Sequence, residues 1–83
     1  MSALEDSLPT MLQNLEGIIA TARKLGLDKD PVYAQKLGQL ECDRTAVSAA
    51  WGRLPRARQM NDKAFFVHVA ELVIRVELHL GNW

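Results

Sequence analysis

The segment from Lys63 to Leu80 constrains the fold most, because apolar side chains surround it almost completely when it is wound as a helix. The large apolar residues of this segment are Phe65, Phe66, Val67, Val69, Leu72, Val73, Ile74, Val76, Leu78 and Leu80. Helical spacing leaves a single polar stripe, formed by His68, Glu71, Arg75 and His79. A helix of this kind is normally buried on more than one side. An 83-residue chain has little protein of its own to cover it, so the segment predicts a binding surface.

Two secondary structures compete for the end of this segment. From Ile74 to Leu80 apolar and polar residues alternate, and β-branched side chains are frequent, which is typical of a strand. Such a strand would have to pair with a second copy of the chain. A helix has an N-cap at Asn61 or Asp62 and ends at Gly81. We expect a helix over about 62–80, with a strand as the alternative for 74–80.

The N-terminal part of the chain predicts a first helix over about 8–25. Its apolar residues recur at steps of three and four: Leu8, Met11, Leu12, Leu15, Ile18, Ile19, Ala22 and Leu25. Ser7 is the expected N-cap, and Gly26 is expected to end the helix in a left-handed conformation. Because only Gly26 to Asp30 separates this helix from the next, the two helices should form an antiparallel hairpin.

The second helix is expected over about 31–53. It begins at Asp30, a good N-cap, followed by Pro31 in the first helical position. Its predicted buried seam consists of Tyr33, Leu37, Leu40, Arg44, Val47, Trp51 and Leu54. Pro55 should end the helix, and residues up to Asn61 should form an arginine-bearing loop.

Arg44 is unusual because it occupies a position in this apolar seam. It could pair with Glu16 across the hairpin or with a carboxylate of a partner. Alternatively, its aliphatic stem could cover apolar surface while the guanidinium reaches water. The second interpretation is the one that we favour.

These segments predict an all-α fold, an antiparallel helical hairpin plus a third, very apolar C-terminal helix. We expect a small three-helix bundle, one domain over residues 1–83, completed by dimerisation. The residues expected in the bundle or dimer core are Leu72, Val73, Val76 and Leu80.

No catalytic or metal-binding constellation is expected. His68 and His79 are three helical turns apart, roughly 16 Å at the rise of an α-helix, which is too far to share one metal ion. Glu41, Cys42 and Asp43 are consecutive and point in different directions on a helix, so we expect them on the solvated surface. Phosphate-binding and hydrolase motifs are also missing from the sequence. We therefore expect no enzyme activity, cofactor or metal.

Charge and cysteine usage indicate the environment of the chain. Charges at Glu71, Arg75 and Glu77 argue against a membrane-spanning segment, since a charge at the centre of a bilayer costs roughly 2.5–3.5 kcal/mol. The N-terminus lacks a basic region followed by an apolar run, so no secretory signal peptide is expected. The single cysteine, Cys42, cannot form an internal disulfide and fits a reducing compartment. We expect a cytoplasmic protein.

The function favoured by these patterns is protein binding. We expect a non-catalytic interaction module, a small regulator, inhibitor or chaperone-like adaptor that masks a surface of a larger protein. The expected partner-binding residues are Trp51, Arg53, Arg56, Arg58, Phe66, Val67, Ile74 and Leu78. The third helix could pair with itself in a homodimer or lie in a groove of the larger protein, and both remain open.

DNA binding by the basic corner from Arg53 to Arg58, with Trp51 and Lys63 beside it, is the alternative function. Aromatic and arginine side chains together can grip phosphates and stack on bases. Ten basic and ten acidic residues nevertheless give the chain a net charge of zero, and no basic recognition helix is evident. Tryptophan and arginine are also enriched at protein-binding hot spots. The alternative is therefore a small DNA-binding regulator, with nucleic acid the weaker candidate partner.

Overall fold

The structure, a computed structural model, describes residues 4–83 of the chain and is entirely helical. Its α-helices are α1, Leu8–Lys24; α2, Pro31–Met60; and α3, Lys63–Gly81. Short 3₁₀ helices at Leu4–Ser7 and Leu27–Lys29 precede α1 and α2. No strand occurs between residues 4 and 83, so the all-α prediction is confirmed and the strand alternative for 74–80 is wrong. Residues 1–3 of the predicted domain lie outside the described residues.

Local capping interactions set most of the helix boundaries. The side chain of Asp30 accepts a hydrogen bond from the Val32 amide at 2.9 Å, with proline in the first position of α2. Asp62 caps α3 in the same way, accepting from the Phe65 amide at 3.1 Å. Gly26 adopts a φ of 77° just after α1, a left-handed conformation that glycine reaches without steric cost.

Helix α2 passes through Pro55 and ends only at Met60, so the prediction that Pro55 terminates it is wrong. Proline has no amide hydrogen and therefore removes one hydrogen bond from the helix interior. The neighbouring Leu54 and Ala57 are both buried in the core, and their packing offsets that loss. Asn61, with a φ of 52°, ends α2. The expected arginine-bearing loop is instead the last part of a 30-residue helix.

Helix α2 lies at the centre of the bundle and contacts both α1 and α3. Arg23 near the end of α1 forms a salt bridge with Glu41 in the first half of α2. Asp6, just before α1, pairs with Arg58 near the end of α2, so α1 runs antiparallel to α2. Lys36 near the start of α2 donates a hydrogen bond of 3.0 Å to the carbonyl of Asn82, so α3 is also antiparallel to α2. The core consists of Leu8, Met11, Leu15, Ile19, Ala22, Leu37, Leu40, Val47, Ala50, Leu54, Ala57, Phe65, Val69, Leu72, Val73 and Val76.

The buried face of α2 differs from the predicted seam at two positions. Arg44 and Trp51 are exposed, whereas the preceding residues, Asp43 and Ala50, are buried. The cause is α3, because Asp43, Ala50 and Ala57 repeat every seven residues and thus share the side of α2 on which Asp43 contacts α3. The predicted seam considered only the packing of α2 against α1, so it did not include the residues of α2 that pack against α3.

Candidate functional site

The outer face of α3 is the most distinctive surface of the molecule. Phe65, Val69, Leu72, Val73 and Val76 bury the inner face of this helix against the rest of the bundle. On the opposite side Val67, Ile74 and Leu78 have 59%, 59% and 61% of their surface exposed. Exposed apolar residues that form a patch, as opposed to single ones, mark interaction sites.

These exposed residues belong to one regular stripe along α3, which we call the outer stripe. Steps of three and four residues bring its members onto one side of the helix. They are Ala64, Val67, Glu71, Ile74, Leu78 and Gly81, and all of them are exposed. The stripe extends over nearly the whole length of α3 and contains one charged residue at its centre.

Other expected contact and core residues on α3 lie elsewhere. Phe66 is half-buried against the core and meets the ring of Phe65 edge-on, with centroids 5.7 Å apart. It therefore does not belong to the outer stripe. Of the residues expected in the core, Leu72, Val73 and Val76 are buried, and Leu80 is half-buried against the core.

The basic corner does not form a single surface. Arg58 turns back to the N-terminal 3₁₀ helix, where it lies 2.7 Å from Asp6 and 3.8 Å from Glu5. The guanidinium of Arg53 lies 5.3 Å from the centroid of the Phe65 ring, a cation–π contact. Arg56 is exposed, and no ion pair of Arg56 is found within residues 4–83.

Trp51 lies apart from these arginine contacts on the surface of α2, with 42% of its surface exposed. Arg44 is likewise exposed, and within residues 4–83 no salt bridge joins it to Glu16. Its guanidinium therefore does not bridge the hairpin. The predicted seam residues Trp51 and Arg44 are both surface residues of this bundle.

A buried carboxylate links α2 to α3, and this link was not predicted from the sequence. Asp43, expected on the solvated surface, is only 1% exposed. Its Oδ2 accepts a hydrogen bond from Nδ1 of His79 at 2.6 Å, and its Oδ1 lies 3.3 Å from Nε of Arg75. The only local signal was its position three residues after Leu40, on the core side of α2.

This cluster joins α2 to α3 through a hydrogen bond and a salt bridge. A carboxylate that orients an imidazole also occurs in catalytic and metal sites, where it supports a nucleophile or a metal ion. Here both oxygens of Asp43 are occupied, and Cys42 beside it is an exposed free cysteine. Among the described residues, no group of three or more histidine, cysteine, aspartate or glutamate side chains could hold a metal ion.

An open groove of about 550 Å³ lies between the second half of α1 and the C-terminal end of the chain. Its apolar lining residues are Ile18, Ala22, Leu25, Leu27, Leu80 and Trp83. The Trp83 ring packs edge-on against Tyr33 at 5.9 Å. Gln13, Asn14 and Thr21 add polar side chains to the lining, and no charged side chain contributes to it.

The outer stripe of α3 is therefore a candidate binding surface, because three exposed large apolar side chains lie on it in one row. In residues 4–83 no helix combines the length and the apolar character needed to cross a lipid bilayer. No protein-family model, curated protein or solved structure matches this chain.

Proposed function

We propose that this chain is a non-catalytic protein–protein interaction module, a small regulator or adaptor that masks a surface of a larger protein. The observation that supports this proposal is the outer stripe of α3, where three large apolar side chains face solvent in one row. The rest of the apolar surface of α3 is already used by the core. A second apolar face on the same helix has no role in holding the bundle together.

The energetics favour a partner over solvent for this face. Complete burial of a valine, leucine or isoleucine side chain is worth roughly 1.5–3 kcal/mol. Val67, Ile74 and Leu78 each have more than half of their surface available for burial, on the order of 1–2 kcal/mol per residue. The geometry suits a partner with an apolar groove or a partner helix, because the anchors recur at helical spacing.

DNA binding has less support in the geometry. Arg58 and Arg53 engage groups of their own chain, whereas Arg56 forms no ion pair among residues 4–83. A nucleic-acid surface normally gathers several cations on one face.

Capture of partners from a native lysate tests the proposal. Ile74→Glu and Leu78→Glu each place a charge in the outer stripe at an exposed position, so the fold should be retained. The matched control is Val32→Glu, which alters an equally exposed β-branched residue at the start of α2. We expect wild type and Val32→Glu to retain the same protein and both α3 variants to lose it. Equal retention by all four proteins would refute a role for the outer stripe.

A further inference from the structure

We propose that the outer stripe of α3 binds the same stripe of a second copy of the chain in an antiparallel orientation, with Glu71 beside Arg75 of the partner subunit. This inference rests on the proposed function, because it uses the same surface: the second copy covers the stripe until the larger protein replaces it. Its basis is the order of residues along the stripe and the charges at its centre.

The stripe has the spacing of a coiled-coil seam. Steps of three, four, three, four and three residues lead from Ala64 to Gly81, and every residue at these steps is exposed. This spacing keeps a row of side chains facing a partner helix. The inner face of α3 is already buried in the bundle, so a second helix could pack along the stripe without disrupting any core contact.

Antiparallel pairing matches the sizes of the residues in each layer. Val67 meets Leu78 of the partner subunit, and Ala64 meets Gly81 of the partner subunit, so large residues face large and small residues face small. Glu71 meets Ile74 of the partner subunit at the centre. A symmetric dimer repeats each of these layers twice, which is the self-complementarity that a twofold interface requires.

Charge selects this orientation over the parallel one. In the antiparallel pair Glu71 enters a hole bordered by Arg75 of the partner subunit, and symmetry repeats this opposite-charge contact. In a parallel pair Glu71 would face its own copy across the seam, so like charges would be adjacent. A polar residue at one seam position fixes register at some expense of stability.

Arg75 is held in a suitable position for this role. Its Nε lies 3.3 Å from the buried carboxylate of Asp43, yet 51% of its side chain remains exposed. The contact with Asp43 restrains the guanidinium at the edge of the stripe, so less side-chain entropy is lost when it meets a carboxylate.

Disulfide trapping tests the orientation directly. In a Cys42→Ser background, Val67→Cys and Leu78→Cys are made as separate proteins and oxidised mildly, alone and as a mixture. Antiparallel pairing predicts a covalent dimer in the mixture and little from either variant alone, because like residues lie several turns apart. Self-linking of each variant alone would show parallel pairing and overturn the proposal. No covalent dimer in any sample, with wild type monomeric by sedimentation up to submillimolar concentration, would also overturn it.

Sedimentation of Ile74→Glu and Val32→Glu separates the interface from the fold. We expect Ile74→Glu to raise the dimer dissociation constant by at least about tenfold, which corresponds to about 1.4 kcal/mol. Val32→Glu should leave it unchanged, and both variants should keep the helical circular dichroism of wild type. Unchanged dimerisation of Ile74→Glu would contradict the proposal.

Failure of this inference can be distinguished from failure of the proposed function. A monomeric wild type whose Ile74→Glu variant still loses a captured protein would refute the second copy alone. An antiparallel dimer whose Ile74→Glu variant captures the same proteins as wild type would support the second copy and refute a larger partner at this face.

Discussion

Nδ1 of His79 lies 2.6 Å from Oδ2 of Asp43 and joins the last turn of α3 to the middle of α2. Asp43 is almost fully buried, so its carboxylate depends on this hydrogen bond and on the salt bridge with Arg75. A buried carboxylate without partners is strongly unfavourable. The hydrogen bond from His79 and the salt bridge with Arg75 therefore fix the position of α3 along the axis of α2.

His79→Ala should lower the free energy of unfolding by about 1–2 kcal/mol, because one oxygen of the buried Asp43 carboxylate loses its donor. The matched control is His68→Ala, on an exposed position of the same helix, which should change stability by less than about 0.5 kcal/mol. Urea unfolding followed by circular dichroism measures both values. Equal losses in the two variants would argue against a special role for the link to Asp43.

Pro55→Ala should raise the free energy of unfolding by about 1–2 kcal/mol. Alanine restores the missing amide donor inside α2 and removes the steric conflict of the proline ring. Part of the gain is offset because alanine makes the unfolded chain more flexible.

Pro9→Ala is the control for this prediction. Pro9 lies in the first turn of α1, where a missing amide hydrogen interrupts no helical hydrogen bond. We expect no increase in stability there by chemical denaturation. A comparable increase in the free energy of unfolding for both variants would mean that Pro55 does not destabilise the protein through its position in the helix interior.

Arg58→Ala should release the N-terminal 3₁₀ helix from the end of α2. The guanidinium pairs with Asp6 and Glu5 at the surface, so the cost in global stability should be at most about 1 kcal/mol. Hydrogen exchange should nevertheless accelerate in Leu4–Ser7. Arg56→Ala, which removes an exposed arginine two residues away, should leave exchange in this segment unchanged.

Generic duplex DNA should not bind this chain appreciably at physiological salt. The net charge is zero, and the corner arginines are divided among separate contacts. A gel-shift titration at several salt concentrations checks this expectation. Affinity that falls steeply with salt and disappears in Arg56→Ala would instead establish a phosphate-binding surface.

Helix capping could be predicted from the sequence because its partners are close along the chain. Asp30 and Asp62 bind amides two and three residues ahead, and Gly26 supplies a local left-handed residue. The excess of apolar residues in the segment that forms α3 likewise predicts two apolar faces from the sequence alone. The positions of Val67 and Ile74 on the outer face follow from the same helical spacing.

The features that could not be predicted from the sequence depend on tertiary contacts. Asp43 is buried because Arg75 and His79, more than thirty residues away, supply two donors. Local periodicity assigned the neighbouring Arg44 to the core instead. Pro55 remains inside α2 for a similar reason, since the packing of flanking core residues outweighs a local preference to end the helix.

Asn61 gives the outer stripe a mechanical property. Helix α3 follows α2 after only two residues, and the left-handed Asn61 sets the direction in which it leaves. Together with the Asp43 link, this short junction presents the stripe as a rigid ridge and not as a tethered arm. A ligand of this face would bind a helix that is already formed and oriented. Binding would therefore not be weakened by the loss of conformational entropy that ordering a flexible helix entails.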